Sequence, residues 1–107
     1  MSEKRTEKLV RIIKTAAADF LERESNRVSL LTVTDVKMSN DEKYATILFT
    51  VLPNTMEHDA LDFVKRKRSE FREYIKKNTK IGRVPFFDFA IDLGEKHRQR
   101  IDEISLK

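Results

Sequence analysis

A single α+β domain, with a three-stranded sheet covered on one face by helices, is the fold class this chain predicts. Three observations carry that expectation. Apolar residues recur with a helical period near the N-terminus, with a period of two in three later segments, and with a helical period again between the second and third of those. The 107 residues suffice for one hydrophobic core and not for two. The resulting order is α-β-β-α-α-β, and three strands need apolar cover that three amphipathic helices can supply.

The first helix is expected over residues 2–24. Leu9, Ile12, Ile13, Ala16, Ala17, Phe20 and Leu21 form one stripe, while Lys4, Arg11, Lys14, Asp19 and Glu22 fall off it. Ser25-Asn26 reads as the turn that ends it. From Val28 to Met38 the period becomes two. Leu30, Thr32, Thr34, Val36 and Met38 alternate with Leu31, Val33, Asp35 and Lys37. A polar turn over residues 39–43 leads into a second strand, Tyr44 to Leu52, with Ala45, Ile47, Phe49 and Val51 on one face. Pro53-Asn54 stops it.

Residues 55–80 are helical in composition, but their apolar stripe breaks. Leu61 and Val64 fit a face, and Phe71, Tyr74 and Ile75 fit one further on, yet Lys67 and Arg68 lie between them and cannot be buried unpaired. The reading is two helices, with Ser69 as the second N-cap and Glu70 and Glu73 in its first turn; one helix with an exposed central turn is the alternative. Asn78 and Gly82 are expected to end the second helix. Val84-Pro85 feeds a third strand, Phe86 to Asp92, with Phe87, Phe89 and Ile91 on one face, and Gly94 closes it. Ile101 and Ile104 suggest a short C-terminal helix. The whole chain, 1–107, is read as one domain with an ordered core of about residues 6–104.

Charge is concentrated. Between Lys65 and Arg83 lie nine cations: Lys65, Arg66, Lys67, Arg68, Arg72, Lys76, Lys77, Lys80 and Arg83. Only Glu70 and Glu73 oppose them, a net +7 within a chain of net +4. A small domain with one cationic element most often applies it to a polyanion, nucleic acid above all. A solvated helix face that only maintains solubility is the plainer alternative. Absence of cysteine excludes disulfides and thiolate metal sites and fits a reducing compartment. The longest apolar run, Ile47 to Leu52, is the size of a strand and not of a membrane span. The N-terminus lacks the apolar segment of a secretory signal, so the cytoplasm is the expected location.

Two helices meeting at a basic turn within this element order is the layout of KH-like domains of the type II order, whose junction clamps a nucleic-acid backbone. The usual junction there is a Gly-x-x-Gly loop, and this chain has Lys67-Arg68-Ser69 instead. The stretch from Thr32 to Asp41, continuing through Ala45, Ile47 and Leu52, resembles the hairpin of the ribosome-binding factor A family. So does the run from Pro85 to Asp92, set where that family has Pro-x-Leu-x-Phe-x-x-Asp, and Phe71-Arg72 matches its apolar–arginine pair. The resemblance covers about Leu9 to Ile104. It implies a KH-like bacterial factor, a monomer, that binds the immature 30S small ribosomal subunit and its 16S rRNA. It further implies a role in maturation of that rRNA and in adaptation to cold, with no catalysis, no cofactor, no small-molecule substrate and no membrane. Two departures stand out: the family's Ala-x-Gly bend is Lys67-Arg68-Ser69 here, and its Leu-Arg is Ile81-Gly82, with the arginine moved to Arg83.

All nine cations are candidate contacts for the rRNA backbone. Lys65, Arg66, Lys67, Arg68 and Arg72 form the inner set, with Lys76, Lys77, Lys80 and Arg83 outside it. Arginine presents a bidentate fork to phosphate, which ranks Arg66, Arg68 and Arg72 first. Side chains fan by about 100° per helical residue, so roughly half of the nine should face away. Tyr44 and Phe86 could be platforms for bases, although packing in the core or at an edge is the favoured reading. His58 and His97 read as surface residues, and Asp59 and Asp62 as helix-start acids. With two glycines in the whole chain, no glycine-rich loop and no nucleophile with a base, an enzyme lacks its parts. The competing classes are a general KH-type RNA-binding protein and a basic protein-interaction module outside ribosome assembly.

Overall fold

The computed structural model of the chain describes residues 4–24 and 29–97. Helix α1 (Arg5–Glu24) precedes a hairpin of β1 (Leu30–Met38) and β2 (Tyr44–Leu52). Paired helices α2 (Glu57–Arg66) and α3 (Arg68–Asn78) follow, and then β3 (Phe86–Ile91). A cis Leu52–Pro53 peptide and a 3-10 turn over Asn54–Met56 connect β2 to α2. The order is the one expected. The turn at Ser25-Asn26, the strand start at Val28 and the tail helix on Ile101 and Ile104 lie outside the described residues. Residues 93–97 are helical, and Asp92 caps them: its Oδ1 accepts the N–H of Glu95 at 3.0 Å. Gly94 thus lies inside this turn of helix rather than closing the strand.

The sheet runs β1-β2-β3, with β1 antiparallel to β2 and β2 parallel to β3. Two parallel strands need a long crossover, and α2 and α3 form it. Strand β2 alternates as expected: Ala45, Ile47, Phe49 and Val51 are buried. Strand β1 does not keep its expected alternation. The register shifts between Val33 and Asp35, so Leu31 and Val33, then Val36 and Met38, pack against the core. The extra residue is Thr34, whose hydroxyl donates to Asp92 Oδ2, and Asp35 Oδ1 takes the N–H of Val36 at 2.8 Å. A bulge of this kind moves every later side chain to the opposite face.

The hairpin turn is built from its own side chains. Ser39 donates its hydroxyl to Asp41 Oδ1 at 2.7 Å, the same oxygen accepts the N–H of Lys43 at 3.1 Å, and Glu42 closes the turn at a φ of 60°. The Ser39 hydroxyl first, and the Lys43 amide second, hold the Asp41 carboxyl below its ordinary pKa of 3.8. The depressed value means that this turn's contribution to stability is full above that ordinary pKa and is lost as pH falls through the folded one.

Between the paired helices the backbone breaks at one residue. Lys67 has φ −95° and ψ 3°, its N–H reaches the Val64 carbonyl at 3.0 Å, and its own carbonyl accepts the N–H of Phe71 at 2.9 Å. Lys67, not Ser69, therefore occupies the N-cap position, and no side chain caps it. Ser69 is exposed within the first turn of α3, and Glu73 lies beyond that turn. Sharing one residue between the helix ends keeps Val64 and Phe71 both fully buried while Arg68 turns outward. At its other end α3 stops through Asn78 Nδ2 on the Tyr74 carbonyl (2.9 Å) and Thr79 Oγ1 on the Ile75 carbonyl (2.8 Å). Gly82 plays no part there.

Phe71 is the hub of the core. Its ring lies 5.2 Å from Phe20 of α1, and 4.7 Å from Phe87 and 5.9 Å from Phe89 of β3. Such tilted and edge-on pairs add to the burial of large apolar area. Phe71→Ala should lower unfolding free energy by about 3–5 kcal/mol in urea denaturation. A loss below about 1 kcal/mol would contradict its central place.

Candidate nucleic-acid interface

The break at Lys67 decides where the cations go. Lys65 and Arg68 flank it and reach over the free edge of β3 to Asp88, at 4.0 and 3.3 Å. Arg68 Nε also donates to the Lys65 carbonyl at 3.0 Å, which fixes the arginine against the helix end. Asp88 is half-buried, and its Oδ1 accepts the N–H of Phe89 at 2.8 Å, so the acid is held on the strand. One turn further along α3, Arg72 Nε donates to the Pro85 carbonyl (3.1 Å) and Nη2 to the Val84 carbonyl (3.0 Å). Its guanidinium carbon lies 4.6 Å from the centroid of Phe86. Arg72 thus ties the β3 entry loop to α3, a role that its rank among phosphate ligands did not anticipate.

A cleft of about 640 Å³ opens beside this edge, lined by Lys43, Tyr44, Arg72, Lys76, Arg83 and Phe86 among others. Tyr44 and Phe86 face each other across the parallel pair β2–β3 and are 60% and 58% exposed. Neither enters the core; they pack on one another with ring centroids 6.0 Å apart. Their strand neighbours Ala45 and Phe87 are buried, so alternation turns these two outward at the uncovered end of the strands.

The nine cations therefore separate. Lys65, Arg68, Arg72, Lys76 and Arg83 follow the β3 edge and its cleft. Lys67 is half-buried on the other side, 3.8 Å from Glu24 of α1 and 3.4 Å from Glu70, with its ammonium 5.7 Å above the Phe63 ring. Lys77 and Lys80 border grooves between α1 and α3. Arg66 is exposed and forms no ion pair among the described residues. Lys43 and Asp88 belong to this surface and were not singled out from the sequence; only the pairing of β3 with β2 brings them to it. His58 and His97 are exposed as expected. Asp59 is in the first turn of α2, whereas Asp62 lies past it and pairs with His58 at 3.4 Å. Among the described residues no cluster of His, Cys, Asp and Glu could hold a metal ion, and no helix is long and apolar enough to cross a membrane.

A two-layer α+β domain of KH-like order with one cationic strand edge is the class that fold and surface define. The family model for ribosome-binding factor A matches residues 5–105. The chain belongs to the ribosome-binding factor A family. It is 32% identical over 104 residues to the ribosome-binding factor A of Syntrophus aciditrophicus, covering 94% of this chain and 85% of that one. The relative from Paenarthrobacter aurescens is 28% identical over 103 residues, and there the match spans 94% of this chain but 62% of the relative. The chain thus spans under two thirds of the length of some curated relatives. The crystal structure of ribosome-binding factor A from Thermus thermophilus superposes with a TM-score of 0.69 at 24% identity, over 78% of this chain and 92% of that one. A solution structure from Thermotoga maritima, described as a putative ribosome binding factor A, gives 0.66 at 22% identity, over 84% and 90%. A Thermus thermophilus ribosome binding factor A homology model, fitted into a cryo-EM map of a 30S complex of that factor, gives 0.65 at 21% identity, over 74% and 86%.

Asp88 pairs with Lys65 and Arg68, two of the candidate phosphate contacts. Asp88→Asn keeps the acceptor for the Phe89 amide and releases Lys65 and Arg68. Filter binding to RNA at several salt concentrations should show higher affinity and a log–log salt slope steeper by about one. Weaker binding would place the contacts away from this edge.

Proposed function

We propose that this chain binds the immature 30S subunit through its 16S rRNA and assists maturation of that rRNA, acting as a cytoplasmic monomer without catalysis or cofactor. The observation that carries the reading is the row Lys65, Arg68, Arg72, Lys76 and Arg83 along the uncovered β3 edge. Family membership supports the ribosomal target, since a relative with the same fold is described in a 30S complex. An edge that neutralises about five phosphates releases their counterions, so affinity falls on the order of a hundredfold between about 50 and 200 mM salt. Base identity would be read weakly by such contacts, and shape and single-stranded segments more strongly.

The test uses lysate on a sucrose gradient. The wild-type chain should co-migrate with small-subunit particles at low salt and leave them at high salt. Lys65→Glu with Lys76→Glu reverses two exposed charges of that row that hold no part of the core, whereas reversal of Arg72 would free the β3 entry loop and confuse folding with binding. The double variant should remain at the top of the gradient and accumulate unprocessed 16S precursor in cells that depend on it. Normal co-migration and normal precursor levels would move the interface elsewhere.

A further inference from the structure

Two large aromatic rings left in water beside four cations need an explanation that backbone contacts do not give. Tyr44 and Phe86 are more than half exposed, start their strands, and stand side by side with rings inclined at 33°. Phe86 is backed on one face by the Arg72 guanidinium, which the Val84 and Pro85 carbonyls lock in place. The hairpin turn that positions Tyr44 is closed by the Tyr44 N–H on Ser39 Oγ at 3.1 Å, so this ring also stands on fixed backbone. Lys43, Lys76 and Arg83 rim the same cleft, and the acid among its walls, Glu42, has Arg5 at 3.4 Å. The volume, about 640 Å³, falls in the range of small-ligand clefts, about 300–1,000 Å³.

From this we infer that Tyr44 and Phe86 form a stacking platform for one unpaired nucleobase of a single-stranded RNA, with Arg83 and Lys76 taking the phosphates on either side. The inference rests on the RNA-binding reading above and adds a base-holding subsite to it. Charge chooses the occupant. Ile81 and Val84 contribute apolar wall, but an apolar protein side chain would leave the Lys43, Lys76 and Arg83 charges on the rim unmatched. A base offers a flat π-face to the rings, and its flanking phosphates match the rim. Arg72, fixed beneath Phe86, extends the stack on the protein side. Stacking tolerates any base, so the platform selects unpaired over paired RNA and not one sequence over another.

The full chain is tested with two probes, an oligouridine of about ten nucleotides and a blunt RNA duplex of similar length. Tyr44→Leu with Phe86→Leu should weaken oligouridine binding by roughly tenfold or more, change duplex binding by less than about twofold, and leave the salt slope unaltered. Tyr44→Phe should retain the affinity. A second readout is optical: with two tyrosines and no tryptophan in the chain, Tyr74→Phe leaves Tyr44 as the sole tyrosine emitter, and oligouridine should quench it while duplex does not. Equal affinity of the leucine variant and wild type for oligouridine overturns the platform while the RNA reading stands. So does an equal loss on both probes. Loss of co-migration with small-subunit particles, without any change on either probe, would assign the pair to a protein contact and overturn it too. Failure of the wild type to bind either probe overturns the RNA reading along with it.

Discussion

Phe71 makes the rest of the molecule possible. It is buried at the meeting of α1, α3 and β3, with the helix interrupted at Lys67, where α2 ends and α3 begins. A continuous helix would carry Val64, Lys67, Arg68 and Phe71 along one stripe and force two cations into the core, at a cost of several kcal/mol for each unpaired charge. The break resolves that conflict. Val64 and Phe71 both remain at 0% exposure, and the cations leave toward either side of the paired helices.

The same break determines the surface. Lys65 and Arg68, set outside the core, lie over the edge of β3 against Asp88, and Arg72 follows on the same side of α3. These groups already have partners in the chain, which changes how binding should be understood. On the proposed reading, a phosphate arriving at this edge would exchange with the Asp88 carboxylate rather than fill an empty site. Exposed pairs of this kind contribute little to stability, typically about 0–1 kcal/mol, so the exchange is easy. Held side chains also lose less freedom on binding than flexible ones, which favours a surface arranged beforehand.

Much of the architecture was legible in the sequence, and the failures have a common cause. Period-two alternation gave β2 its bounds, and it gave β3 its bounds to one residue, because Ala45, Ile47, Phe49, Phe87 and Phe89 have no other face to occupy. The junction was legible because Lys67 and Arg68 could not be buried. Its capping residue was not: local preference pointed to Ser69, whereas the Lys67 carbonyl serves α3 directly. The second half of β1 faced the other way, since Thr34 bonds to Asp92 far along the chain and no local pattern announces that bulge. The cations were visible as a cluster but not as two groups, because Asp88, Glu24 and the Val84 and Pro85 carbonyls divide them only in three dimensions. Tyr44 and Phe86 were correctly set opposite the core-facing positions, yet only the fold leaves them uncovered.

The central claim is that one edge of the sheet, and not the charge of the chain at large, meets RNA. Backbone amide shifts measured by NMR during titration with a short single-stranded RNA test it most directly. The perturbed amides should cluster at residues 43–46, 65–72 and 83–88, with α1 and the outer edge of β1 unmoved. Shifts centred on Lys77, Lys80 and the neighbouring face of α1 would contradict it.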